Sequence, residues 1–214
     1  MNLIDRTISF LEDRRNKILN GGINSVPSPF KRFRNDFIGI EQGKYYCITG
    51  GTKSAKTQLS SFIFIYNTIL YAYHNPDKVR VKIFYFPLEE TPEDVLLRFM
   101  SYLLYTLSDY KIEISPTDLQ STDNNKILDE NILDLLKSNE YQEILKFFQD
   151  SIIFSTSTNP TGVYNECRKY AHENGTVHHK KQRVKDEIEG IKEIDAFDYY
   201  EQNDVDEYRI IYYD

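Results

Sequence analysis

The chain has 214 residues, is 40% hydrophobic and 28% charged, and sets 26 basic against 33 acidic side chains for a net charge of −7. That composition excludes collagen-like, mucin-like and wholly disordered chains, and its negative balance provides no global basic field for a small stand-alone DNA-binding module. One domain with one sizeable core is the expectation at this length. Cys47 and Cys167 lie far apart, outside any Cys-x-x-Cys or Cys/His pairing, so neither a disulfide framework nor a zinc site is expected and a reducing compartment fits. Met1 to Asn20 lacks the continuous apolar stretch of a signal peptide. The longest apolar run, Phe62 to Tyr73, is interrupted by Asn67 and Thr68 and is shorter than the roughly 20 residues of a bilayer span. A cytoplasmic protein without a membrane helix follows as the expectation.

Ile4, Ile8, Leu11, Ile18 and Leu19 keep helical spacing, charges cover the opposite face, and Asn20-Gly21-Gly22 supplies a stop, which predicts one amphipathic helix within residues 1–22. Ile23 to Gln42 reads as an irregular connection into a first strand, Lys44 to Thr49. Leu59, Phe62, Ile63, Tyr66, Ile69, Leu70 and Tyr73 predict a helix from Ala55 to about Tyr73, and Val79 to Phe86 a second strand. Thr91-Pro92-Glu93-Asp94 opens the next helix: Thr91 can cap, Pro92 sits where a missing N–H costs nothing, and two acids face the positive helix end. That helix runs to about Leu107. Leu128 to Phe148 is helical by spacing, Ser151 to Ser155 is a short strand, and Asn159-Pro160-Thr161-Gly162 leads a helix to Asn174-Gly175. Residues 176–207 are dominated by charge and predict an exposed insertion, before a last strand from Tyr208 to Tyr213. The alternation predicts an α/β domain over residues 23–214 with a mainly parallel sheet flanked by helices.

Ahead of the predicted helix at Ala55 stands Gly50-Gly51-Thr52-Lys53-Ser54-Ala55-Lys56-Thr57, one substitution from the G-x-x-x-x-G-K-[ST] phosphate loop. A phosphate chain needs backbone N–H groups at a helix N-terminus, an ammonium for the β and γ phosphates, and a hydroxyl for Mg²⁺. Gly50 and Gly51, Lys56 and Thr57 supply these parts, while Lys53 either reaches a phosphate or stays solvated. Carboxylates qualify at two places. Glu89, after the second strand, either orients the attacking water or joins Glu90, Glu93 and Asp94 in complementing a helix N-terminus. Asp214 closes the apolar strand Ile210-Ile211-Tyr212-Tyr213, the form of a Walker B acid that holds the water shell of Mg²⁺.

The series Gly39-Ile40-Glu41-Gln42-Gly43, Ile48 through Thr57, Tyr85-Phe86-Pro87-Leu88-Glu89-Glu90 and Asp206 to Asp214 resembles the RecA-like motor domain of DnaB-type replicative helicases, particularly phage-encoded ones. The resemblance implies a RecA-like P-loop NTPase fold, with Glu89 as catalytic glutamate, Lys56 as the loop lysine, Thr57 and Asp214 on Mg²⁺, and ATP as the nucleotide. Ala55-Lys56-Thr57-Gln58-Leu59 is also similar to the loops of MCM-type helicases, which extends the nucleotide-binding set from Gly50 to Gln58. The helix at Ile4 to Leu19 looks like the family's linker helix, which docks on the next subunit of a hexameric ring; packing on its own domain is the other reading. The family would continue past Asp214 with further strands, DNA-binding loops and an arginine finger, so a truncated product with an incomplete sheet is expected.

The implied function is an ATPase motor that couples Mg-ATP hydrolysis to movement on single-stranded DNA beside other replisome proteins. A packaging or recombinase-type P-loop ATPase, or a non-catalytic nucleotide-binding partner of a helicase, are the alternatives. The basic run His178 to Lys185 either touches DNA or is a solvated loop.

Overall fold

The structure, a computed structural model, describes residues 2–33, 35–87, 89–123, 125–157, 159–186 and 190–213. The chain divides into two units, one of Met1–Thr156 with Tyr208–Asp214, the other of Ser157–Glu207.

In the first unit, α1 (Leu3–Leu19) starts where the Asn2 side chain accepts from the Asp5 amide and ends at Asn20, as the spacing predicts. None of its residues is buried, and Ile4, Ile8, Leu11, Ile18 and Leu19 each keep more than half of their surface exposed. Its C-terminal half is fastened by Arg14, which pairs with Glu41 at 2.8 Å and whose carbonyl accepts from the Asn24 side chain. The connection that follows contains a small antiparallel ladder of β1 (Val26–Pro27) and β2 (Gly39–Ile40). Gly39 is required there, because a Cβ on it would stand 1.9 Å from the Val26 carbonyl oxygen.

The predicted strand Lys44 to Thr49 is not a strand. It runs beside the last strand of the sheet across a cleft of about 540 Å³ instead of pairing with it. A strand exists only through its ladder hydrogen bonds, so an extended apolar segment without them stays an irregular connection.

The predicted helix Ala55 to Tyr73 forms in three parts: α2 (Lys56–Ser61), a π-helical turn over Phe62–Tyr66, and α3 (Asn67–His74). Ile63, Phe64, Ile65 and Tyr66 are all buried, which is the signature of a helix apolar around its whole circumference and packed on more than one side. The Thr68 hydroxyl donates to the Ile63 carbonyl at 3.1 Å beside this widened turn. Next comes β3 (Arg80–Phe86), where five of seven residues are buried, as expected of a parallel strand covered on both faces. Helix α4 (Pro92–Leu107) begins at the Thr91 cap the sequence predicts, and the structure adds the reciprocal bond from Asp94 that makes it a capping box. The Thr91 hydroxyl and amide hold the Asp94 carboxyl below its ordinary value. The cap therefore contributes above the usual carboxylate range and is lost as pH falls through the lowered value.

A short α5 (Pro116–Leu119) precedes α6 (Glu130–Lys137) and α7 (Asn139–Ser151), which replace the single helix expected over Leu128 to Phe148. The break is at Ser138, whose ψ of 154° is extended, and Gln142 donates its side-chain amide to the Leu136 carbonyl freed by it. Ser and Asn offer the backbone alternative hydrogen bonds and so favour such ends. Strand β4 (Ile152–Phe154) pairs in parallel with β3, Ile83 opposite Ile152.

The second unit holds α8 (Pro160–Glu173), capped by the Asn159 side chain, and a long antiparallel hairpin of β5 (Gly175–Asp186) and β6 (Gly190–Gln202) with a bulge at His178/His179. The charged segment expected over residues 176–207 as an exposed insertion contains this ribbon. Cross-strand pairing explains it: Lys180 meets Asp198 and Lys181 meets Asp195, both at 2.8 Å, while His178 stacks on Tyr199 at 4.3 Å. The basic run is thus balanced by the acidic strand opposite.

Strand β7 (Glu207–Tyr213) returns to the first unit and completes a three-strand parallel sheet of order β4-β3-β7, flanked by helices. The core between the helices is an aromatic stack. Tyr66 lies 5.5 Å from Phe99, and Phe99 lies 4.2 Å from Phe148 at 21°. No helix among the described residues is long and apolar enough to cross a membrane.

Candidate nucleotide site

Residues 50–55 form an exposed loop that feeds directly into α2. The turn needs left-handed backbone at Lys53 (φ 60°) and at Ala55 (φ 55°, ψ 32°), immediately before the first helical residue. This is the physical reason the phosphate-loop pattern carries glycine at the position of Ala55: a Cβ there costs about 1–2 kcal/mol and glycine removes the cost. Ala55→Gly is expected to raise stability by about 1 kcal/mol, visible as a higher urea midpoint at unchanged slope. A lower midpoint would refute the strain argument.

The loop closes on one carbonyl. The Lys56 ammonium donates to Gly51 O at 2.9 Å and the Ser54 hydroxyl donates to the same oxygen at 2.7 Å. A Cβ on Gly50 would meet Ser54 Oγ at 2.6 Å and displace that hydroxyl from Gly51 O, whereas Gly51 has open space around it. Lys56 and Thr57 are half-buried in the first turn of α2, and Thr52 and Lys53 are exposed in the loop. Gln58 lines a cavity with residues of α4.

The first turns of α2 are tied to β7. The Tyr212 hydroxyl lies 2.6 Å from Ser60 Oγ and 3.2 Å from Ser61 Oγ, and its ring stacks on Tyr85 of β3 at 4.9 Å and 12°. These bonds join residues some 150 positions apart, so no local pattern signals them. They bring the loop's helix to the strand ends from which the carboxylates emerge. Glu89 follows the carboxyl end of β3, is exposed, and has no hydrogen bond or ion pair among the described residues. Glu90 is committed elsewhere: one carboxylate oxygen pairs with Arg98 of α4, and the other accepts from the Tyr85 hydroxyl at 3.2 Å. Asp94 is used in the capping box. The two adjacent acids are therefore different in kind, with Glu90 a structural anchor and Glu89 open to solvent. Asp214 lies outside the described residues. Among the described residues no group of three or more His, Cys, Asp or Glu is placed to hold a metal ion.

The fold and site define an α/β unit built on a parallel sheet with a glycine-containing, lysine-bearing loop before its principal helix. No family model, no curated protein and no solved structure matches the chain.

Proposed function

We propose that the chain is a nucleotide-binding P-loop ATPase domain of RecA-like type, the motor of a DNA helicase that hydrolyses Mg-ATP. The observation that carries this reading is the loop geometry: Lys56 and Ser54 converge on Gly51, and the chain enters α2 through a left-handed residue at Ala55. The Lys56 ammonium, now on a neutral carbonyl, would exchange that partner for the β and γ phosphates of ATP. In the same reading the Thr57 hydroxyl, in the first turn of the helix, and Asp214, which lies outside the described residues, would hold Mg²⁺. The ion would supply charge neutralisation on the phosphates. Glu89, exposed and unpaired beyond β3, would orient and deprotonate the attacking water.

Single-stranded DNA as the track and further copies of the chain as partners belong to the same reading. The uncovered apolar face of α1 supports assembly into a ring. The cross-strand ion pairs of β5 and β6 leave the hairpin no net basic face, so it adds nothing to the DNA proposal.

The test is titration of the purified chain with a fluorescent ATP analogue and Mg²⁺, with Lys56→Ala in parallel and phosphate release as the readout of turnover. Wild-type binding at micromolar concentration, weakened at least tenfold in Lys56→Ala, is the expected result. Absence of wild-type binding, or equal binding by both proteins, removes the ATPase reading. Sedimentation velocity on the same preparation tests assembly, for which a monomer at every concentration and with nucleotide present is the contrary outcome.

A further inference from the structure

The cleft of about 540 Å³ beside β7 is walled by two extended segments. Residues 40–48 supply one wall and residues 208–213 the other, with Lys56, Ser60 and Phe64 completing the lining. β7 is an end strand of the three-strand sheet, and residues 44–49 join no ladder among the described residues. A sheet edge is the template on which a further strand pairs through its main chain.

Each wall is pinned by a tyrosine. The Tyr46 hydroxyl donates to the Gly39 carbonyl at 3.1 Å and accepts from the Glu41 amide at 2.9 Å, and its ring lies 5.4 Å from Phe64. Opposite, the Tyr212 hydroxyl lies 2.6 Å from Ser60 Oγ and its ring stacks on Tyr85. Closing the cleft by moving one wall onto the other would break one of these sets, which favours an inserted strand over closure.

The walls share one pleat. Tyr208 and Tyr212 are buried, whereas Ile211 and Tyr213 keep 57% and 52% of their surface; across the cleft Tyr46 and Ile48 are half-buried, whereas Tyr45 is 90% exposed. This alternation is the period of a strand, and five or six residues, about 17–20 Å, is an ordinary strand length. A strand entering with the same alternation sets apolar residues toward Phe64 and polar ones outward. The lining charges are Lys44, Lys56 and Arg209 against Glu41, which Arg14 already holds at 2.8 Å, so the cleft selects an acidic residue.

We infer that this cleft is a docking slot for an extended peptide segment of another polypeptide, apolar on one face and acidic on the other, which enters as a strand between β7 and residues 44–49. The inference does not depend on the loop binding nucleotide.

The probe is the capped peptide Thr-Val-Glu-Val-Thr-Val, fluorescently labelled and titrated into the full chain, with amide hydrogen exchange read on the complex. One control peptide carries proline for the central valine, and another carries lysine for glutamate. Expected are saturable wild-type binding, at least tenfold weaker binding of the proline peptide, which lacks a main-chain donor, and weaker binding of the lysine peptide. Exchange should slow in residues 44–49 and in β7 together. Lys44→Glu, whose thermal transition is measured first, replaces an exposed side chain and should reverse the preference between the glutamate and lysine peptides. No wild-type binding at about 1 mM, equal binding of the proline peptide, or slowed exchange in one wall alone overturns the inference. So does protection of residues 44–49 in the free chain, which would show that this segment pairs with β7 unaided.

Discussion

Replacing Phe99 by alanine is expected to destabilise the first unit by about 3–5 kcal/mol, the largest stability effect of any single substitution considered. Phe99 is fully buried, stacks on Phe148 at 4.2 Å, and touches Tyr66 and Tyr102 as well. Its ring therefore bridges α4 to α7 and to the π turn that continues the loop's helix. Removing it deletes the transfer free energy of a phenyl group and leaves a cavity that two rigid helices cannot close. Urea denaturation followed by far-UV circular dichroism reads the change. A loss below about 1 kcal/mol would show that the aromatic stack is not the core of this unit.

The second large effect is kinetic. Glu89→Gln is expected to lower phosphate release by about 10²–10⁴-fold, the range for removal of a positioned general base, while leaving binding of the ATP analogue within a factor of two or three. Stability should not change, since Glu89 is exposed and makes no hydrogen bond or ion pair among the described residues. Its neighbour serves as the control. Glu90→Gln strips Arg98 and Tyr85 of their carboxylate and should cost about 1–3 kcal/mol of stability. Reversed phenotypes, with Glu90→Gln folded and inactive and Glu89→Gln active, would exchange the two roles.

Where a segment's own residues carry both the period and the stop, sequence and structure coincide. Helix α1 is delimited by its apolar spacing and by Asn20-Gly21-Gly22, and α4 opens at the Thr91 cap that its four letters spell. The loop from Gly50 to Thr57 is legible for the same reason, since its constraint is local: a turn that needs left-handed backbone followed by a helix start. Its distant partners are not legible. Nothing near Ser60 announces Tyr212, and nothing near Glu90 announces its pairing with Arg98 of α4.

The strands divide along the same line. β3 is recognisable because a strand buried on both faces is continuously apolar whatever its neighbours are. Lys44 to Thr49 has equal strand character and forms no ladder, standing across a cleft from β7. β5 and β6 show the converse: their charge conceals a hairpin whose stability lies in pairs such as Lys181 with Asp195, invisible until the register is known. The sequence by itself determined the helix spacing, the caps and the glycine-bearing loop that enters α2, because these depend on residues within a turn or two of one another. Only the tertiary structure decided which strands pair, which glutamate is anchored and which serines meet the Tyr212 hydroxyl, because those depend on contacts between separate elements of the chain.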